Sequence, residues 1–262
     1  MVQQAHQLLR DGDLDGARRA LVEFVRANPA NDQARMFLFQ LLAVAGEWDK
    51  ARTQLATLAK LAPEAQMLGV AYGQAIDAEA VRAAVFAGKA APDLLAHSDW
   101  AVGLVEAIGH FAAGRDAEGE AARDRAFDLA PDMPGELDGT RFGWIADADS
   151  RFGPACEAII GGRYGIVPFD VVARIESEGP RDLRDIVWYP VQIHFRAGQS
   201  VAAMLPTRYP GSEASADTAE RLARATGWTD TAWGQAGSGV HLWSLDGEDD
   251  REILSVRNLI FD

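Results

Sequence analysis

Asp147 and Asp149 come nearest, by type and spacing, to a metal-holding or reacting pair in this chain. Two carboxylates two residues apart on a strand share one face, where they could hold Mg²⁺ or Mn²⁺ as in a metal-dependent transferase. As a calcium loop the segment fails: position five is Arg151, position six is Phe152 where glycine is needed, and position twelve is Ala158. The competing readings are an Asp–Arg network, in which Arg151, Arg184 or Arg208 ties loops together, and a partner contact. Gly198-Gln199-Ser200-Val201-Ala202 partly matches a nucleophile elbow, but Ala202 replaces its second glycine and Arg196-Ala197-Gly198 reads as a hairpin turn between two strands. His6, His97, His110, His194 and His241 show no paired metal spacing. There is no Walker A or dinucleotide-binding glycine signature, and Gly234, Gly237 and Gly239 read as a flexible loop before a strand. The single Cys156 has no internal disulfide partner and reads as a small buried hydrophobe. The residues therefore call for no catalytic group, no metal and no cofactor.

The front of the chain is written in a 34-residue period: Gly12 to Gly46, Ala17 to Ala51, Pro29 to Pro63. That is the tetratricopeptide (TPR) spacing. In each unit a glycine closes the first helix, an alanine lets two helices approach, and a proline stops the second. Such hairpins bury their apolar faces only by stacking, and the stack makes a curved surface suited to holding another polypeptide. Helical periodicity runs from Gln4 to about Pro131. Two further periods from Gly46 reach Gly114, with Pro131 seventeen residues on and Gly119 in the small position. Residues 64–97 fit the period poorly, at Ala80 and His97, and read either as a degenerate repeat or as irregular helices.

After Pro131 the texture changes. Asp132-Met133-Pro134-Gly135 and Gly139 break the helical pattern, and β-prone runs follow at 142–146, 164–167, 187–195, 201–205, 240–245 and 253–261. Helices are expected over 154–160 and 217–225, the latter with Asp217 as cap, Glu220 in the capping-box position and Gly227 beyond its end. The expected fold is therefore a multidomain chain: a TPR-like helical repeat domain over 1–135, then an α+β domain over 136–262. The sheet of that second domain should be mostly antiparallel and curled into a small, partly open barrel.

Composition is that of an ordinary folded protein, 48% hydrophobic and 24% charged. No stretch approaches the ~20 apolar residues that cross a bilayer, and the start lacks a basic region followed by an apolar core, so a cytoplasmic location and no membrane partner are expected. A net charge of −14 argues against nucleic acid, whose phosphates need clustered cations; a basic or mixed-charge protein is the better partner. Lys50, Lys60 and Lys89 are the only lysines and all precede the boundary. The second half's side-chain cations are otherwise arginines, which form rigid forked pairs with carboxylates.

Three blocks in that second half carry a resemblance: Phe142-Gly143-Trp144-Ile145-Ala146-Asp147-Ala148-Asp149-Ser150-Arg151-Phe152-Gly153-Pro154, then Asp182-Leu183-Arg184-Asp185-Ile186-Val187-Trp188, then Leu205-Pro206-Thr207-Arg208-Tyr209-Pro210-Gly211-Ser212-Glu213. With the closing Leu254-Ser255-Val256-Arg257 and the helical front, the chain resembles the ImpE/TagJ (SciE-type) family of type VI secretion accessory proteins. The resemblance implies a non-enzymatic cytoplasmic adaptor that binds the N-terminal helix of the small sheath subunit and is linked to the ClpV-type AAA+ ATPase that recycles contracted sheath. The alternatives are a divalent-metal enzyme using Asp147 and Asp149, and a TPR chaperone or hub outside secretion. Arg184, Asp185, Trp188, Arg208 and Tyr209 have the composition of a partner-binding face, against which stands a satisfied internal network. Most of the tryptophans read as core, with Trp188 the exception expected nearest a surface.

Overall fold

The computed structural model describes residues 2–61 and 65–262. Helices α1 (Val2–Arg10) and α2 (Leu14–Ala27) form the first hairpin, and α3 (Asp32–Val44) and α4 (Trp48–Leu61) the second. Their boundaries follow from local chemistry. The Asp13 carboxylate accepts from the Gly16 amide and the Asn31 side chain from the Ala34 amide, satisfying donors that a helix start leaves open. Gly12, Gly46 and Gly114 hold φ of +84°, +69° and +68°, the left-handed turn a side chain would resist. Pro63, expected to stop the second unit, lies outside the described residues.

Residues beyond it do not form a further hairpin. They make one long helix, α5 (Gln66–Phe86), and the path then turns into a two-residue strand, β1 (Asp93–Leu94), before α6 (Asp99–Ala112) and α7 (Asp116–Leu129) pair. Gly119 is the small position of that last pair: a Cβ there would stand 2.4 Å from the Phe111 ring.

Strands follow: β2 (Gly135–Leu137), β3 (Thr140–Phe142), β4 (Ile145–Asp147), β5 (Ala155–Ile160), β6 (Arg163–Pro168), β7 (Val172–Glu176), β8 (Trp188–Phe195), β9 (Ser200–Pro206), β10 (Thr226–Thr231), β11 (Gly234–Gly239), β12 (Leu242–Leu245), β13 (Arg251–Glu252) and β14 (Asn258–Phe261), with one short helix, α8 (Thr218–Arg221), before β10. Eight of them join β1 in a nine-stranded sheet of order β1-β6-β5-β9-β8-β7-β14-β2-β3, antiparallel except for β1 on β6. This sheet is not closed into the expected barrel: β1 and β3, two and three residues long, end it at opposite sides. Strands β13-β12-β4 make a second sheet and β10-β11 a separate hairpin.

The helix expected over 154–160 is strand β5. Its residues from Ala155 to Ile159 are all buried, so the segment shows no inside–outside alternation and reads like a helix interior. The helix expected over 217–225 contracts to α8. Asp217 does cap it, accepting from the Ala219 amide at 2.8 Å, but Ala223 takes φ +51° and Glu220 accepts from the Ser215 and Ser238 hydroxyls, leaving the cap backbone. The run 142–146 is divided because Asp246 accepts from the Gly143 amide at 2.6 Å and turns the chain between β3 and β4. The run at 253–261 opens with a 3-10 turn, Ile253–Ser255, before β14. The glycines at 234–239 are a strand, β11, and no flexible loop.

One core unites the helices with the sheet domain: Leu21, Phe39, Leu41, Leu55 and Trp100 belong to the same buried cluster as Phe152, Tyr164, Trp188 and Tyr209. A second cluster lies within the strands, around Val172, Ile193, Trp243 and Leu259.

Candidate partner-binding groove

Where α5 meets the sheet, buried charges are joined side to side. Arg82 from α5 makes a forked pair with Glu157 of β5, 2.7 and 2.6 Å, and its second nitrogen also donates to the Arg208 carbonyl at 2.7 Å. The Tyr164 hydroxyl donates to Glu157 at 2.6 Å, and His241 bridges Glu157 (3.1 Å) and Asp147 (2.7 Å). Burial alone would raise the Glu157 carboxyl and lower His241. The Arg82 guanidinium instead holds Glu157 well below the usual carboxylate range, and the two flanking carboxylates hold His241 up at about 9.

The Asp147–Asp149 pair belongs to this lattice. Asp147 accepts from Tyr209 (2.9 Å), His241 and the Asp149 amide (2.9 Å). Asp149 lies past the end of β4 and accepts a fork from Arg151, 2.9 and 2.6 Å, together with the Gly237 amide at 2.7 Å. All four oxygens thus face donors, the reverse of what a cation requires. Among the described residues no group of three or more His, Cys, Asp or Glu is placed to hold a metal. Burial pushes the Cys156 thiol up, which leaves it inert.

Ser200 sits 2.7 Å from His194 Nδ1, whose Nε2 is 2.8 Å from Glu176. These distances match a nucleophile–base–acid series. The three residues, however, come from β9, β8 and β7 as cross-strand neighbours, with Ser200 exposed and Gly198 in the hairpin turn; the strained strand-to-helix elbow of a hydrolase is replaced by a flat ladder.

Of the five residues with the composition of a partner face, four lie inside the protein, as the alternative of an internal network would have them, and Arg184 is half-buried. Asp185, Trp188, Arg208 and Tyr209 are buried. Asp185 caps its own 3-10 turn, accepting from the Arg181 and Asp182 amides. Trp188, fully buried, donates to Glu79 at 3.0 Å between the rings of Trp48 and Tyr72. Arg208 donates to the Val44 carbonyl at 2.9 Å and the Arg221 carbonyl at 2.5 Å, so a cation from the sheet domain closes the C-terminus of α3; burial brings it down to about 10. Arg184 pairs with Asp182 and lies over the Tyr72 ring, 4.7 Å from its centre. These residues act inward: they fix the segment 180–188 against α3 and α5.

That segment completes a groove whose walls the sequence alone does not identify. Between α1, α3 and the turn at Leu183–Ile186 runs a groove of about 840 Å³. Leu9, Met36, Phe37 and Leu58 line it from the helices, and Pro180, Leu183 and Ile186 from the sheet domain. His6 stacks on Phe37 at 4.1 Å, and Asp32, Gln33, Gln40, Arg181 and Asp182 provide its polar lining. Leu183 and Ile186 stand within the second quoted block, but only the fold carries them to α3.

A family model described as "ImpE protein" matches residues 139–260, and a tetratricopeptide repeat model matches residues 8–71. The type VI secretion system accessory component TagJ of Pseudomonas aeruginosa PAO1 is 42% identical over 228 residues, covering 87% of this chain and 81% of that protein. The crystal structure of protein VPA1032 from Vibrio parahaemolyticus covers 99% of this chain and 97% of its own with a TM-score of 0.87 at 23% identity, which shows a shared fold. Identity of 42% along most of both sequences, together with the match to the ImpE family model, makes the chain a member of the ImpE/TagJ family of type VI secretion accessory proteins.

Proposed function

We propose that the chain is a non-enzymatic cytoplasmic adaptor of type VI secretion that holds the N-terminal helix of the small sheath subunit in the groove between α1, α3 and the Leu183–Ile186 turn. Through that grip it brings the sheath subunit to the ClpV-type ATPase. The observation that carries this reading is the groove's double wall: its apolar lining comes from the repeat helices on one side and the sheet domain on the other. An amphipathic helix recognises such a surface by apolar anchors three and four residues apart. The relative TagJ, an accessory component of the same secretion system, supports the assignment to that system.

Calorimetry with a synthetic peptide of the small sheath subunit's N-terminal helix tests it. Met36→Asp and Leu183→Asp place a charge on opposite walls, and each is expected to weaken binding at least tenfold, about 1.4 kcal/mol, with the melting transition retained. If the intact protein takes up no heat from the peptide, or both variants bind as the parent does, the reading fails.

A further inference from the structure

The β10–β11 hairpin is paired on one side only. Along β11 the outer edge is taken up by the body of the protein. The Gln235, Gly237 and Gly239 amides donate to Ser150, Asp149 and Ser212, while the Gln235 and Gly239 carbonyls accept from the Ser150 and Tyr209 amides. With those residues facing outward, Gly234, Ala236 and Ser238 bond to Thr231, Thr229 and Gly227 across the hairpin. The backbone groups of Thr226, Trp228 and Asp230 therefore point away from β11, and none has a hydrogen-bond partner among the described residues. Among the described strands of four residues or more, β10 alone has an edge met by neither a strand nor the body. Trp228, Thr229 and Asp230 are exposed there, and of the usual guards of a free edge the strand carries a single charge, Asp230, with no lysine or proline.

We infer that this edge receives the same edge of a second copy, β10 running antiparallel to its counterpart about a two-fold axis at Trp228. The sequence is self-complementary in that register. Trp228 faces Trp228 of the second copy and Thr226 faces Asp230, so each outward amide meets an outward carbonyl and no carboxylate opposes another. An isologous contact of this kind closes on itself, and a register shifted from Trp228 would leave some of the outward backbone groups unpaired. The two hairpins become one four-stranded sheet, and the exposed indole gains an aromatic cross-strand neighbour. The contact buries far less than the ~1,600 Å² of stable complexes, and each copy carries a charge of −14. The pair is thus weak, and it strengthens with salt as repulsion is screened.

Sedimentation velocity on the full chain, from micromolar to near-millimolar protein at low and high salt, is to be combined with hydrogen exchange at both ends of that range. Expected are a reversible dimer favoured by salt, and slower exchange of the Thr226, Trp228 and Asp230 amides at high concentration alone. Trp228→Pro removes one outward donor without touching a β10–β11 bond, and it should abolish the dimer. A monomer throughout with those amides in unchanged exchange overturns the inference. So does a dimer that forms while the three amides stay unprotected.

Discussion

At the scale of single residues, His241 is the member of the lattice whose charge can be titrated near neutrality. It is buried between Asp147 and Glu157, and its folded value near 9 stands above the ~6.5 of an unfolded chain. A raised value means the protonated ring favours the folded state: the contribution is complete below about pH 6.5 and is lost as pH climbs toward 9. Urea unfolding at steps from pH 6 to 9.5 should show stability falling across that window, and His241→Gln should flatten the fall. A parent curve that rises or stays level there contradicts the charged imidazolium. Half of this lattice was legible in the sequence. Asp149 and Arg151 are two residues apart and their pairing follows from spacing, as does the preference for an Asp–Arg network over a metal. Asp147 finds its partner 94 positions away, a pairing produced by the sheet alone; His241 looked like an ordinary strand histidine because nothing beside it in sequence is charged.

Among the elements, arginines of the sheet domain fasten the ends of the repeat helices. Arg208 closes α3 at Val44, and Arg224 donates to the Leu9 and Arg10 carbonyls at the end of α1. Arg208 reaches both the Val44 and the Arg221 carbonyl through Nη1; a lysine has the charge but carries it on a shorter reach and as a more strongly hydrated ammonium, which is costlier to bury there. Arg208→Lys is expected to cost about 1–3 kcal/mol, the penalty of a buried acceptor left unpaired, and to speed amide exchange in the last turn of α3 ahead of the rest of that helix. Unchanged unfolding and unchanged exchange would show that the cap contributes nothing. The turns of the first two hairpins were readable because Gly12 and Gly46 do what only glycine does easily. Strand β5 was not, since Ala155, Cys156, Ala158 and Ile159 are apolar on both faces, and without alternation a short apolar run has no period that separates it from a buried helix. The stretch 64–97 kept count without keeping structure: α5 supplies one helix and β1 joins the sheet where a second helix would have stood.

For the whole molecule, the two halves share a core and build the groove together. Its walls, Met36 and Phe37 on one side and Leu183 and Ile186 on the other, are about 150 residues apart in the chain, so the sequence does not show which residues meet. The buried lattice ties the two halves together: Arg82, Glu157 and Arg208 join α5, β5 and the end of α3, so the groove is preformed and the proposed guest helix would spend little on ordering it. The most direct measurement is hydrogen exchange on the full chain with and without the N-terminal helix of the small sheath subunit. Simultaneous protection of α1, α3 and the segment 180–186, with the β10 edge unchanged, is the expected result. Protection confined to one wall, or found elsewhere on the surface, would contradict a site built from both halves.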